Sequence, residues 1–253
     1  MSNSASPVIP VENTAHVALV IGASSHIGLA TMTLLHAQSP DLQIVAISRN
    51  SAAVPAAAHI TSLESDYSDA SLRDIVAQLE DCRGRIVRVL ICLGVLHNDT
   101  LRPEKRLEDL QADRMLEYLR INAVLPALWV GALLPLLAGT QPCRLAVLSA
   151  RVGSIADNRK GGWYSYRASK AALNMLLQTS AIEYARRAPN VTLLAYHPGT
   201  VDTPLSAPFH RSVPEGALFT AAHTAQCMLD VMAQPATPGD ARFVDYAGET
   251  VPW

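Results

Sequence analysis

The sequence predicts one α/β domain, residues 15–253, built on a doubly wound parallel sheet of about seven strands with helices on both faces. Short apolar runs rich in β-branched residues, typical of strands buried on both faces, alternate with segments whose apolar residues recur at helical spacing. A turn bounded by Gly22 and Gly28 joins the first such run directly to the first helical segment. The 253 residues are enough for one sizeable core, and they show no internal repeat.

The predicted elements alternate regularly along the chain. Strands are expected at residues 17–21, 42–47, 59–63, 85–94 (with the strand exit), 144–149, 191–196 and 242–246. Helices are expected after the glycine turn, at 72–79, from the charged segment 104–120 into the apolar segment 121–139, around 163–173 and at 220–232. Residues 1–14 are interpreted as a flexible arm, because they are rich in Ser and Pro and lack the basic start and apolar stretch of a signal peptide.

Composition argues against several classes of protein. The formal net charge of −2 gives no electrostatic reason to expect nucleic acid as a partner. The four cysteines are scattered and the histidines form no ligand cluster, which indicates a cytoplasmic protein with reduced thiols and no metal. Segment 121–139 has the length of a membrane span, but Asn122 and two prolines within it favour a helix of the core or of a subunit interface. No membrane is therefore expected.

The glycine-bounded turn is the first candidate site. Where a strand turns directly into a helix, free N–H groups and the positive end of the helix dipole face whatever lies above the turn, and a pyrophosphate suits that place. We therefore expect a dinucleotide to bind at Gly22, Ser24, Ser25, His26, Ile27 and Gly28. The alternative is an ordinary strand–helix turn, since His26 stands where a dinucleotide fingerprint has its middle glycine.

Ser48 and Arg49 follow the second strand, whose end lies beside the adenosine ribose in such a fold. A site for NAD usually has an acid here, whereas a guanidinium matches a phosphate with two parallel hydrogen bonds. This predicts NADP(H) in preference to NAD(H). In the alternative, Arg49 lies in water at a loop.

The ends of the third and fourth strands complete the predicted adenosine and nicotinamide contacts. Asp66, which precedes Tyr67, is expected to bind the adenine amino group, because Ser68 or Asp69 is equally able to cap the helix that follows. Gly94 allows the chain to pass closely under a cofactor.

Tyr166 and Lys170 are four residues apart, so on a helix they share one face. A nearby ammonium favours the phenolate and is expected to lower the pKa of Tyr166, which suits a general acid near neutral pH. Tyr164 has no lysine at the corresponding position. Asn122 is expected either to hold a chain of water or to brace a strand, and the sequence leaves both open.

The chain after the sixth strand passes through Pro198, Gly199, Val201 and Thr203, at the sheet edge where doubly wound folds bind ligands. The turn at Pro198 and Gly199 leaves backbone groups free for a nicotinamide amide. Residues 204–216 are irregular, contain three prolines and suit a lid over a substrate. The adjacent His197 is interpreted as a structural residue.

In their order and spacing these motifs resemble the short-chain dehydrogenase/reductase family, from residue 16 to the end of the chain. The matching positions are the glycine turn, Asp66, Asn122, Ser149, Tyr166-x-x-x-Lys170 and Pro198-Gly199-x-Val201-x-Thr203. Residues 149–155 and 161–166 are most similar to its sniffer/C-factor-like carbonyl reductase branch. The resemblance implies a Rossmann-type NAD(P)-binding domain, NADP-dependent carbonyl or alcohol chemistry, and a homo-oligomer (dimer or tetramer) formed through segment 121–139 and the helix of Lys170.

The resemblance also implies roles for individual residues. Tyr166 would give its proton to a carbonyl oxygen, Lys170 would bind the nicotinamide ribose and lower the pKa of Tyr166, and Asn122 would hold a water molecule that relays protons to Lys170. A serine would bind the substrate oxygen. Strict register places Ala150 at that position, so Ser149 is the nearest replacement and Ser154 a further one.

Two more departures from the family pattern lie on the cofactor side. His26 replaces the middle glycine, and Cys92-Leu93-Gly94 replaces the usual Asn-Ala-Gly. The sequence predicts an NADPH-dependent oxidoreductase that reduces an aldehyde, ketone or quinone-like carbonyl, with Tyr166 as general acid. The alternative is an NADP-binding regulatory or signalling protein with little catalysis, which the missing second serine and the altered 92–94 segment motivate.

Overall fold

A computed structural model describes residues 15–253, and its centre is a sheet of seven parallel strands. The strands of the described chain are β1 Val17–Ile21, β2 Gln43–Ser48, β3 Ile60–Glu64, β4 Ile86–Ile91, β5 Cys143–Leu148, β6 Val191–His197, β7 Thr200–Val201, β8 Leu218–Phe219 and β9 Arg242–Asp245. The order across the large sheet is β3-β2-β1-β4-β5-β6-β9. The strand order reverses between β1 and β4, and ligands of open α/β sheets bind at the carboxyl ends of the strands beside such a reversal.

Helices cover both faces of the sheet, which confirms the predicted fold class. The α-helices of the described residues are α1 His26–Gln38, α2 Asp69–Gln78, α3 Ala112–Leu119, α4 Leu125–Leu137, α5 Tyr164–Arg187 and α6 Ala221–Ala233. Helices α1 and α6 pack against each other over one face, and α2, α4 and α5 cover the other. The predicted arm at residues 1–14 lies outside the described residues.

Strand β1 shows how composition sets this arrangement. All five of its residues are fully buried, as expected for a central strand covered on both faces. It pairs in parallel with β2, from Val17 opposite Gln43 to Ile21 opposite Ile47, and with β4 on its other side. The glycine turn that follows β1 is thereby fixed at the centre of the carboxyl edge.

Some predicted boundaries differ from the structure. The seven strands of the large sheet begin and end within three residues of the predicted positions, but the charged segment 104–120 becomes helical only at Ala112. Its first residue, Glu104, is buried in irregular chain. The parallel pair of β7 and β8 was not predicted, because two residues per strand are too few to show a periodic pattern.

The apolar segment is part of a continuous helical rod in which α3 passes through a π-helical turn, Arg120–Val124, into α4. Within residues 15–253, Ala112–Leu137 is the one helix long and apolar enough to cross a membrane by length and composition. Trp129, Val130 and Leu133 of α4 are fully buried in the core beneath the sheet. This burial is typical of a core helix, and the cytoplasmic location stays a prediction.

Candidate active site

The glycine turn after β1 has the geometry that the sequence predicted. Gly22 adopts a left-handed φ of +80°, and a Cβ there would lie 2.9 Å from the carbonyl oxygen of Cys92. A Cβ on Gly28 would lie 2.9 Å from the carbonyl oxygen of Ala23. A side chain at either position would therefore force the turn, β4 and α1 apart.

Helix α1 presents a free N-terminus above this turn. Ser25 is its N-cap, and the Ser25 hydroxyl accepts a hydrogen bond of 3.1 Å from the N–H of Gly28. The N–H groups of His26 and Ile27, in the first helical turn, have no intrahelical acceptor. No acidic residue lies in this first turn. The residues present therefore suit an anion such as a pyrophosphate.

Arg49 lies exposed at the end of β2, near Tyr67, whose pKa is raised by burial and only partly lowered by the Arg49 charge. The neighbouring Ser48 is fully buried and donates its hydroxyl proton to the carbonyl of Asn50 at 2.9 Å. Burial is the larger effect on Tyr67 and raises its pKa to about 12, so its hydroxyl is neutral near pH 7. Tyr67 thus lies near both Arg49 and the backbone of Gly22.

Asp66 is exposed, and its Oδ1 accepts a hydrogen bond of 2.8 Å from the N–H of Ser68. Hydrogen bonds from the side chain and then the backbone of Ser68 lower the pKa of Asp66. Ser68 caps α2, and it is one of the two residues that the sequence offered for this role. The Asp66 carboxylate therefore braces the start of α2 through Oδ1. Its role toward adenine stays a prediction.

A cavity of about 620 Å³ opens at the carboxyl ends of β4, β5 and β6, a volume typical of small-molecule sites. The predicted residues that line it are Ile27, Gly94, Ser149, Tyr166, Lys170, Pro198, Gly199, Val201 and Thr203. The other predicted cofactor residues lie outside its lining, at or after the carboxyl ends of β1, β2 and β3: Gly22, Ser24, Ser25, His26, Gly28, Ser48, Arg49, Asp66 and Tyr67. Parts of the predicted lid, including Phe209 and Pro214, also line the cavity.

Tyr166 is 8% exposed, lines the cavity and forms no hydrogen bond through its hydroxyl to any described residue. Burial raises its pKa, and Tyr118 adds to the shift. The prediction that Lys170 lowers this pKa is wrong for this structure. The hydroxyl is therefore protonated near neutral pH and is free to donate to a molecule in the cavity.

Lys170 lies one helical turn after Tyr166 and is buried. Its ammonium donates a hydrogen bond of 2.9 Å to the carbonyl oxygen of Leu148, at the end of β5, and not to the hydroxyl of Tyr166. Burial lowers its pKa to about 8, so the ammonium is charged at pH 7. A Cβ on Gly94 would lie 3.4 Å from this ammonium, which shows how closely the chain after β4 approaches it.

Asn122 braces the chain after β4. Its Oδ1 accepts from the N–H of Val95 at 2.7 Å, and its Nδ2 donates to the carbonyl of Val95 at 2.9 Å and to the hydroxyl of Ser169 at 3.0 Å. The side chain therefore takes the bracing role that the sequence left open. Asn122 lies in the π-helical turn, and Pro126 has no N–H to give to the Asn122 carbonyl four residues earlier.

The turn after β6 depends on Gly199, which adopts a φ of +73°. A Cβ there would lie 2.7 Å from the ring of Phe219 on β8, so the small parallel pair β7–β8 closes directly over this glycine. The neighbouring His197 is largely buried, and burial lowers its pKa to about 4. Its ring is neutral near pH 7, and no role in proton transfer is assigned to it.

The sequence matches a known protein family over most of its length. The sequence model described as short chain dehydrogenase matches residues 16–213. The chain belongs to the short-chain dehydrogenase family. It is also similar to C-signal of Myxococcus xanthus, with 36% identity over 110 residues that make up 44% of this chain and 61% of that protein. The chain thus spans less than two thirds of the curated relatives that it matches.

Solved structures share the fold of this short-chain dehydrogenase. The carbonyl reductase Sniffer of D. melanogaster superimposes with a TM-score of 0.79 and 22% identity, over 94% of this chain and 100% of that one. An NADPH-bound carbonyl reductase from chicken fatty liver gives a TM-score of 0.78 and 22% identity, over 94% and 99% of the two chains. Together with the family model, these matches confirm the predicted resemblance.

The serine of the predicted catalytic set is not directed at Tyr166 in this short-chain dehydrogenase. Ser149 is buried and donates its hydroxyl proton to Oδ1 of Asn174 on α5, at 2.6 Å. Ala150, by contrast, packs in the same apolar cluster as Tyr166. The further replacement, Ser154, is buried and accepts from the N–H of Asp157 at 3.0 Å. The role of Ser149 toward a substrate stays a prediction.

Glu104 is a site-forming residue that sequence reasoning missed. It is 4% exposed, and its carboxylate accepts hydrogen bonds from the N–H of Ser165 at 3.1 Å and from the Ser165 hydroxyl. Its backbone carbonyl accepts from the N–H of Trp163 at 2.6 Å. Glu104 thus caps the N-terminus of α5, where a negative charge is favoured, in the turn that carries Tyr166. The only sequence signal was an acid beside Pro103, which also occurs in ordinary loops.

No metal site competes with this interpretation in the part of the chain that the structure describes. Within residues 15–253 no group of three or more His, Cys, Asp or Glu side chains is arranged to hold an ion.

Proposed function

We propose that this short-chain dehydrogenase is an NADPH-dependent reductase of aldehydes, ketones or quinone-like carbonyls. One observation carries the proposal: Tyr166 lines the same cavity as Lys170, and its hydroxyl has no hydrogen-bond partner among residues 15–253. When bound, NADPH supplies the hydride that reduces the carbonyl carbon. The alcohol product forms when the Tyr166 hydroxyl gives its proton to the carbonyl oxygen.

The residues at the turn and around the cavity fit such a cofactor. The free N-terminus of α1 suits the pyrophosphate, and the close approach of Gly22 to Cys92 leaves backbone rather than side chain facing that group. Lys170, held beside Gly94 and charged at pH 7, is the donor that we assign to the nicotinamide ribose.

The backbone of Asn122 supports a route by which Tyr166 regains its proton. Because Pro126 has no N–H, the usual helical donor to the Asn122 carbonyl is missing, so this carbonyl is suited to accept from a water molecule. In the proposed relay, such a water passes protons to Lys170, while the Asn122 side chain keeps the chain after β4 in place.

The decisive experiment for the function is a panel of carbonyl compounds assayed with NADPH. Oxidation of NADPH that depends on an aldehyde, ketone or quinone, followed by the fall in nicotinamide absorbance, is the expected result. Tight NADPH binding without oxidation across the panel would instead support the regulatory alternative, which the present comparisons do not favour.

Replacing Arg49 with Ala is expected to weaken NADPH binding on the order of tenfold, because a guanidinium–phosphate contact is lost. NADH binding should change little, since NADH has no phosphate on its adenosine ribose. Fluorescence titration of both cofactors measures this. The Arg73→Ala change, on the exposed surface of α2, is the matched control. Equal NADPH affinity before and after the Arg49 change would reject the assignment and the NADP preference.

We also propose a homo-oligomer formed through α3, α4 and α5. Large apolar side chains are exposed along these neighbouring helices. They are Leu116, Val124 and Leu128 on the continuous rod of α3 and α4, and Met175, Leu176 and Ile182 on α5. Met175 is 67% exposed, so Met175→Glu should convert a dimer or tetramer into smaller species without unfolding it. Sedimentation velocity tests this, and a monomeric parent protein at micromolar concentration would end the proposal.

A further inference from the structure

The part of the cavity next to Tyr166 has an aromatic wall. The ring of Trp163 lies 6.1 Å from that of Tyr166 and 4.9 Å from that of Phe209, measured between centroids. Phe209 belongs to the predicted lid, and Leu205 and Val152 add aliphatic surface to the same lining. A substrate whose carbonyl reaches Tyr166 therefore has its apolar body against these groups.

The charged side chains of the lining are all cationic. Among the described residues that line the cavity, Arg151, Lys160, Arg167 and Lys170 are basic and none is Asp or Glu. Arg151 is neutralised, because its guanidinium pairs with Asp157 at 2.6 Å and lies 3.5 Å from Asp245. Lys160 is exposed, and neither it nor Arg167 forms an ion pair with any residue of 15–253.

Arg167 is held in place by groups that carry no charge. Its Nε donates to the carbonyl of Gly162 at 2.9 Å, its Nη2 to that of Gly161 at 3.1 Å and its Nη1 to that of Val152 at 3.4 Å. Gly161 and Gly162 both adopt left-handed φ angles, +62° and +64°, in the short segment that offers these carbonyls. The guanidinium is therefore held beside the cavity by carbonyl oxygens, and it forms no ion pair with a carboxylate among residues 15–253.

A partly buried cation without a counter-ion is unfavourable until an anion reaches it. Burial also lowers the pKa of Arg167, because the charged guanidinium is less well solvated beside the cavity than in water. A carboxylate entering the cavity would supply the missing counter-ion, and Lys160 lines the same cavity.

We propose that the substrate is an anionic carbonyl compound: an apolar, aromatic-sized body that carries a carboxylate in addition to the carbonyl. Arg167 and Lys160 receive the carboxylate, Trp163 and Phe209 contact the body, and Tyr166 meets the carbonyl. This inference rests on the proposed function and names its substrate class.

The test compares 4-formylbenzoate with its neutral methyl ester, both assayed with NADPH. The parent protein should have a KM about tenfold lower for the carboxylate, and added salt should raise that KM while leaving the ester's KM unchanged. Lys160→Glu should raise the KM for the carboxylate about tenfold and change the KM for the ester less than about twofold.

Arg186→Glu is the matched control. It makes the same change in net charge at the far end of α5, about 28 Å along the helix from Arg167. Both compounds should keep their parental KM values in this variant. Equal KM values for acid and ester in the parent protein, or the same loss in Arg186→Glu as in Lys160→Glu, would overturn the proposal.

Binding is measured in parallel by isothermal titration calorimetry, so that the two proposals fail separately. If neither compound is reduced, the proposed function fails, while tighter binding of 4-formylbenzoate than of its ester, lost in Lys160→Glu, still supports the anion site. If both compounds are reduced and bound alike, the reductase stands and the anion site is rejected.

Discussion

Tyr166→Phe is expected to lower the kcat for carbonyl reduction by about a thousandfold, the loss typical of removing a positioned general acid. The substitution removes one hydroxyl that has no hydrogen-bond partner among residues 15–253, so it leaves no buried polar group unpaired. The stability of the protein and its affinity for NADPH should therefore stay close to those of the parent. Steady-state assays, thermal unfolding and NADPH titration measure the three quantities.

The matched control is Tyr164→Phe, two residues earlier on the same helix and outside the cavity lining. It makes the same chemical change and should leave kcat within about twofold, as expected for a phenol that takes no part in proton transfer. Parental turnover in Tyr166→Phe would show that another group protonates the substrate. In that case the mechanism proposed for the Tyr166–Lys170 pair is wrong.

The sheet and its glycine turn could be predicted because their signals are local. A buried parallel strand such as β1 is an uninterrupted apolar run, and the turn after it needs glycine at a left-handed φ, so both are visible in consecutive residues. The pair Tyr166 and Lys170 was equally visible, since helical spacing alone places them on one face. These features required no knowledge of distant contacts.

The environment of that pair could not be predicted, because it depends on contacts far apart in sequence. The ammonium of Lys170 is bound by the Leu148 carbonyl, 22 residues earlier, and the Ser149 hydroxyl is bound by Asn174, 25 residues later. Burial of Tyr166 also exceeds any effect of the lysine on its pKa. Sequence spacing placed the two residues on one helix, but it did not show which groups each side chain contacts.

Glu104 is the strongest example of a long-range contact that local patterns conceal. It lies among charged, helix-forming residues and was assigned to a helix, yet it is buried against Ser165, 61 residues away. Acidic residues are seldom buried without partners, so its burial marks a specific structural task. That task is to hold the first turn of α5, which carries Tyr166 and leads into the turn that carries Lys170.

Glu104→Ala is expected to lower the free energy of unfolding by about 2 to 3 kcal/mol, because the N–H and hydroxyl of Ser165 lose their buried acceptor and α5 loses its cap. For a chain of this size the melting temperature should fall by roughly 5 to 10 °C. Differential scanning calorimetry and urea unfolding measure both quantities.

Glu104→Gln separates the hydrogen bond from the charge. The amide oxygen can still accept from the Ser165 N–H, but the attraction between a carboxylate and the helix N-terminus is lost. The Gln variant should therefore recover about half of the unfolding free energy that Glu104→Ala loses. Glu108→Ala, an acidic residue four positions later that is exposed, provides the control and should change unfolding by less than about 0.5 kcal/mol. Because the carboxylate fixes the turn that carries Tyr166, Glu104→Ala should also lower kcat. Glu104→Gln should recover kcat to the same extent that it recovers the free energy of unfolding. Equal unfolding curves for the two alanine variants would mean that Glu104 does not support the site.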